Sequence, residues 1–186
     1  KINFFKPKSI YNFAAKEIIK GKLIGLFQNK MEFGHRALGN RSIIADPRNP
    51  KMKDIINKAV KNRETFRPFA PAVLEEYQQK IFKIRDKRKV YFMERVYQIK
   101  SNWQKKIPAV THSDGSGRIQ TVSKQTNKEF YNFINEFYKI TKVPVLLNTS
   151  FNVNGEPIVM TPEDAIKTFY SCGLDILILN EFVVTK

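Results

Sequence analysis

"VPVLLNTSFNVNGEPIVMTPEDAIKTFYSCGLDILIL", Val143–Leu179, sets out the fold in one stretch. The run "VPVLLN" is short and apolar, which reads as a buried strand. It delivers Asn148, Thr149, Ser150, Asn152 and Asn154 into a turn at Gly155. A helix start follows. Thr161 can cap, Pro162 occupies the first helical position, and Glu163 and Asp164 complement the helix dipole in the first turn. Gly173 stops that helix, and "LDILIL" and "EFVVT" close the chain as strands. Strands and helices that succeed one another this closely call for a sheet with helices packed on it, of the α/β or α+β class.

The same signals recur upstream. Ser9 caps a helix through Lys22 with Ile10, Phe13, Ala14 and Ile18 on one face. "KLIGLFQ" and "SIIAD" read as buried strands flanking the glycine-punctuated loop "NKMEFGHRALGNR". "PKMKDIINKAVKN" reads as one helix, "PAVLEE" as a strand, "EYQQKIF" as a short helix and "VYFMERVYQI" as an interrupted strand. "PAVTHSDGSGRIQTVS" is expected to form strand, glycine turn and strand, and Asn127–Lys142 an amphipathic helix.

A chain of 186 residues with 42% hydrophobic and 12% aromatic content suits one globular domain spanning 1–186. No apolar run approaches about 18 residues, so no transmembrane helix and no membrane partner are expected. The N-terminus lacks a signal-peptide layout and a starting Met, so a cytoplasmic location and a C-terminal part of a longer chain are the expectation. The lone Cys172 excludes an internal disulfide and any multi-cysteine metal site. The net charge of +16 points to an anionic partner. The lysines are scattered, whereas six of nine arginines (Arg36, Arg41, Arg48, Arg63, Arg67 and Arg118) fall in or beside motif-bearing loops. That asymmetry favours discrete anion sites over a uniformly basic surface.

Four segments carry the chemistry. "MEFGHRALGNRSIIADPR" crowds Arg36 and Arg41 between glycines, and "KNRETFRPFAPAVL" sets Lys61, Arg63 and Arg67 beside stiff prolines. "THSDGSGRIQTV" frames a glycine turn with His112, Asp114, Arg118 and Gln120, a phosphate-holding arrangement. "LLNTSFNVNGEPIV" brings small polar donors to a strand end. None has the spacing of a zinc site, a serine or cysteine triad or a P-loop, and no metal ligands are expected. Arginine forks with polar donors suit phosphate chemistry, where positioning and charge stabilisation do most of the catalysis.

In this order the segments "EFGHRALGNRSIIADPR", "FRPFAPAVL", "HSDGSGRIQTV" and "VPVLLNTSFNVNGEPIVMTPEDA" resemble the C-terminal domain of O-carbamoyltransferases of the NodU/CmcH type, from about Gly21 to Val184. "TSFNVNGEP" is also similar to the Ser-x-Asn turn by which YrdC-like domains hold nucleotide phosphates. The resemblance implies a YrdC-like twisted mixed sheet with packed helices. It implies a domain that uses ATP with Mg²⁺ and carbamoyl phosphate to form carbamoyl adenylate, handed to an N-terminal actin-like domain for transfer to an acceptor hydroxyl. By matched position it implies Lys61, Arg67 and Arg118 as catalytic residues. Arg36, Arg41, Arg63, His112, Asn148, Ser150 and Asn152 would bind substrate or nucleotide. His35 stands where the family commonly has proline and Asn154 where arginine is common.

Two alternatives compete: a basic RNA-binding module and a structural docking module without catalysis. The aromatic residues argue against nucleic acid, since Phe130, Phe133 and Phe137 sit at core spacing.

Overall fold

A computed structural model of the chain describes residues 2–62, 64, 67–85 and 88–186. The strands are β1 (Asn3–Phe5), β2 (Ile24–Phe27), β3 (Arg41–Ala45), β4 (Ala70–Leu74), β5 (Arg95–Gln98), β6 (Ser116–Val122), β7 (Val145–Ser150), β8 (Ile176–Leu179) and β9 (Phe182–Thr185). The helices are α1 (Ile10–Ile19), α2 (Met52–Ile56), α3 (Gln78–Ile81), α4 (Ser101–Gln104), α5 (Lys128–Thr141) and α6 (Pro162–Ser171). Among the described residues the strands form one nine-stranded sheet in the order β1-β9-β8-β2-β3-β7-β4-β6-β5. β2 runs parallel to β8 and β4 parallel to β6, while the other neighbours are antiparallel. The sheet is therefore mixed, as the resemblance implied.

Every residue of β2, β3 and β4 is buried. A strand buried on both faces needs cover on both, which explains why these runs show no polar alternation. On α5, Phe130, Phe133, Ile134 and Phe137 repeat at helical spacing and are fully buried. α1 packs against α5, with the Tyr11 ring edge-on to Phe133 at 4.9 Å between centroids. The caps are those the sequence announces. Ser9 Oγ accepts from Asn12 N–H at 3.3 Å and Asn127 Oδ1 from Phe130 N–H at 3.0 Å. At α6 the Thr161 and Asp164 side chains each accept from the other's backbone N–H, a complete capping box. Past α6, the Gly173 N–H donates to Ala59 O at 2.8 Å, and a Cβ at Gly173 would stand 2.8 Å from the Ala59 Cβ. No helix among the described residues is long and apolar enough to cross a membrane.

Four elements differ from the sequence reading. β1 was not anticipated: its residues are all exposed at the sheet edge, and pairing with β9 rather than burial makes it a strand. The helix expected after Pro50 is α only to Ile56, then widens to a π turn over Asn57–Lys61 that ends in left-handed Asn62 at φ 42°. The strand expected over "VYFMERVYQI" is confined to β5, because Met93 takes φ 58°. The hairpin expected over Pro108–Ser123 does not form. Pro108 lacks the ladder donor and opens a 3₁₀ turn to Val110, and a tight turn (His112 N–H to Ser116 O, 2.8 Å) leads directly into β6. β6 finds its antiparallel partner in β5 instead.

Candidate active site

The site lies where β7 ends and β4 and β6 begin. Side chains alternate faces along a strand, so Asn148 and Ser150 of β7 share a face, as do Arg118 and Gln120 of β6. β4 runs between these strands, pairing Ala70 with Asn148 and Ala72 with Gln120. Neighbouring strands are about 4.8 Å apart, so Asn148 and Gln120 must meet across about 10 Å. They do so, with Asn148 Nδ2 donating to Gln120 Oε1 at 2.7 Å, because the intervening residues of β4 are alanines.

This pair holds down the loop that precedes β3. Gln120 Nε2 donates to Leu38 O at 2.8 Å, and Asn148 Nδ2 donates also to Ala37 O at 3.1 Å. From the other side Glu32 Oε1 accepts from Leu38 N–H at 2.6 Å and Asn40 N–H at 2.7 Å. Gly39, at φ 115°, lies with its Cα directly against the Phe130 ring. Arg41 completes the clamp. Its guanidinium stacks on Phe27, 3.6 Å from the ring centroid, and donates to the carbonyls of Gln28 (2.7 Å), Asn29 (3.2 and 3.3 Å) and Asn40 (3.0 Å). Burial pushes its pKa down.

A cleft of about 90 Å³ remains, lined by Arg36, Arg118, Asn148, Thr149, Ser150, Phe69 and Met93 among others. Two guanidinium groups and no carboxylate stand among its described lining residues, so the cleft suits an anion. Its volume falls well below the roughly 300 Å³ where sites for drug-sized ligands begin, which fits a small anion rather than a whole nucleotide.

Of the residues the sequence singled out, Arg36, Arg118, Asn148 and Ser150 meet here. Lys61 stands behind them. Its ammonium, on a residue 4% exposed, donates to Ser150 O (2.6 Å), Asn152 O (2.8 Å) and Asn152 Oδ1 (2.8 Å), with Ser150 Oγ at 3.3 Å. It clasps the turn after β7, and Ser150 Oγ in turn donates to Asn152 Oδ1 at 2.6 Å. Arg41 does not line the cleft, because the loop carbonyls occupy it. Arg67 is half-exposed, pairs with Glu64 at 3.0 Å and is not among the lining residues, although Pro68 and Phe69 are. Arg63 lies outside the described residues. From the sequence Gln120 only frames the glycine turn, and Glu32, Phe69 and Met93 are not among the candidate site residues. Gln120 was readable, since it follows Arg118 by two positions on one strand and so shares its face.

His112 also stands apart from the lining residues, with Nδ1 3.0 Å from Ser116 Oγ. Burial holds its pKa below the ordinary 6.5, with Arg118 and Lys53 adding to the effect and Asp114 opposing it. A histidine that is harder to protonate folded than unfolded takes up protons preferentially in the unfolded chain. Stability is therefore complete above about pH 6.5 and falls as the pH drops through the folded value. Thermal unfolding should occur at lower temperature at pH 5.5 than at pH 7.5, and His112→Asn should flatten that dependence. An identical slope in the variant would assign the acid sensitivity to other groups.

A family model described as "Carbamoyltransferase C-terminus" matches residues 15–186. Nodulation protein NolO of Bradyrhizobium diazoefficiens is 48% identical over 182 residues, which cover 97% of this chain and 33% of that protein. Nodulation protein U of Sinorhizobium fredii is 40% identical over 149 residues, 80% of this chain and 26% of that one. The chain thus spans about a third or less of these relatives' lengths. Among solved structures, full-length HypF in the phosphate- and nucleotide-bound form superposes over the whole chain with a TM-score of 0.64 at 16% identity, covering 23% of that chain. That likeness is one of fold.

Proposed function

The chain belongs to the carbamoyltransferase C-terminal family, and from that membership we propose that its cleft takes carbamoyl phosphate and, with ATP, forms carbamoyl adenylate. The observation that carries this reading is the convergence of Arg36, Arg118, Asn148 and Ser150 on one small cleft. The anion sits between the two guanidinium groups, which match phosphate oxygens in two-point contact. The nucleotide phosphates meet the cleft at its rim, beside the turn that Lys61 holds.

Atom balance sets the order of events. Carbamoyl phosphate first yields its phosphoryl group to water, giving carbamate and inorganic phosphate. A carbamate oxygen then attacks the α-phosphorus of ATP, and pyrophosphate leaves. Arg36 and Arg118 offset the charge that develops on the phosphate oxygens, and Lys61 and Arg41 keep the turn and loop from moving. Mg²⁺ would accompany ATP, with phosphate and water oxygens as its ligands. Transfer to an acceptor hydroxyl is assigned to sequence outside this span, since the relatives are about three times longer.

The test uses the complete gene product that contains this chain. Pyrophosphate release from MgATP should require carbamoyl phosphate, and Arg118→Ala should lower it by about 10²-fold or more. Lys139→Ala, which removes an exposed charge paired with Glu136, should leave it unchanged. Equal losses from both substitutions, with polynucleotide binding that weakens steeply with salt, would favour a basic nucleic-acid module instead.

A further inference from the structure

Asn148 lines the cleft yet is only 1% exposed, and its amide is used asymmetrically. Nδ2 donates to Ala37 O at 3.1 Å and to Gln120 Oε1 at 2.7 Å, whereas Oδ1 has no hydrogen-bond partner among the described residues. The direction of an amide is ordinarily a matter of assignment. Here backbone carbonyls decide it. Leu38 O can only accept, so Gln120 must turn its NH₂ toward it, at 2.8 Å, and its Oε1 toward Asn148. Asn148 must answer with its own NH₂, which Ala37 O demands as well. The chain of bonds therefore leaves a bare, buried carbonyl oxygen on a residue that lines the cleft. A buried acceptor without a donor is costly, and native proteins seldom keep one idle.

The occupant that answers this geometry is an anion carrying a neutral N–H donor. Arg36 and Arg118 supply the charge complement, and the volume of about 90 Å³ limits the size. A carbamoyl group offers NH₂ to Oδ1. An acetyl group of the same shape offers a methyl and leaves Oδ1 unsatisfied, and a carboxyl group sets oxygen against oxygen. We infer that Asn148 Oδ1 selects the carbamoyl amine, and that Gln120 is a positioning residue that sets the polarity of Asn148 from across β4. This rests on the reading that the cleft takes carbamoyl phosphate.

Titration calorimetry on the complete gene product, with carbamoyl phosphate, acetyl phosphate and inorganic phosphate as probes, tests it. The wild type should bind carbamoyl phosphate at least about tenfold more tightly than acetyl phosphate, because a site built around a hydrogen bond rejects the analogue that lacks it. Gln120→Leu frees the Asn148 amide to turn, and the preference for carbamoyl over acetyl phosphate should shrink to within about threefold. Gln120→Glu still accepts from Asn148 and, protonated, still donates to Leu38 O, so it should retain the preference. Equal wild-type affinity for the two acyl phosphates, with inorganic phosphate competing against both, would overturn the selection and leave the phosphate cleft intact; this comparison needs no variant. A preference undiminished in Gln120→Leu would overturn the role of Gln120. Failure of the wild type to bind any of the three would overturn the carbamoyl phosphate reading itself.

Discussion

Replacing Lys61 by methionine is expected to lower stability by about 2–5 kcal/mol and to remove the cleft's activity with it. The methionine stem follows the same path and fills much of the same volume, so packing is largely kept. What is lost is the ammonium. It satisfies Ser150 O, Asn152 O and Asn152 Oδ1 at 2.6–2.8 Å on a residue 4% exposed. Ser150 O and Asn152 O, both part-buried, lose their donor at a cost of about 1–3 kcal/mol each, whereas Asn152 Oδ1 keeps the Ser150 hydroxyl. The turn after β7 then reorganises to find water, and it takes Ser150 out of the cleft wall. For a domain of this size such a loss corresponds to about 10 °C in unfolding temperature. A calorimetric scan of Lys61→Met reads it directly, and a shift of less than about 2 °C would show that the clasp is not what holds the turn.

Gly39→Ala should be comparably damaging for two independent reasons. At φ 115° a side chain is strained whatever the space around it, at about 1–3 kcal/mol. The space is also absent, since an ideal Cβ would stand 2.3 Å from Phe130 Cγ and 2.4 Å from its Cδ1. Phe130 is fully buried in α5, so the loop is the partner that yields, at a further cost of about 1–3 kcal/mol. A displaced loop withdraws Ala37 O and Leu38 O from Asn148 and Gln120. Stability and phosphate affinity should therefore fall together, measured by denaturant midpoint and titration. Adding Phe130→Ala removes the Cγ and Cδ1 that the new Cβ would strike, so it should recover most of the steric share but not the backbone share, and the double variant should be more stable than the sum of the two single losses predicts. Strict additivity would remove the clash from the explanation.

What the sequence determined by itself was whatever short-range chemistry specifies. Ser9, Asn127 and the Thr161–Asp164 box announced their helices because a cap is a bond between residues three apart. The buried strands β2, β4 and β7 were legible as apolar runs, and the four motif segments were legible as the bearers of polar chemistry, though not as neighbours. The edge strand β1 escaped because an exposed strand carries no burial pattern. The hairpin before β6 was misread because a glycine turn does not reveal which strand pairs with it, and β5 won that place through long-range register.

Tertiary structure alone sorted the cations. Arg36 and Arg118 reach the cleft, Arg41 is taken up by loop carbonyls, Lys61 clasps a turn 89 residues away, and Arg67 turns to Glu64. Five basic side chains in motif-like loops look alike in one dimension, because a long side chain reaches whichever acceptor the packing presents. The Asn148–Gln120 link was equally hidden. It depends on two alanines of a strand that lies between them in space, and on a register that no local pattern encodes.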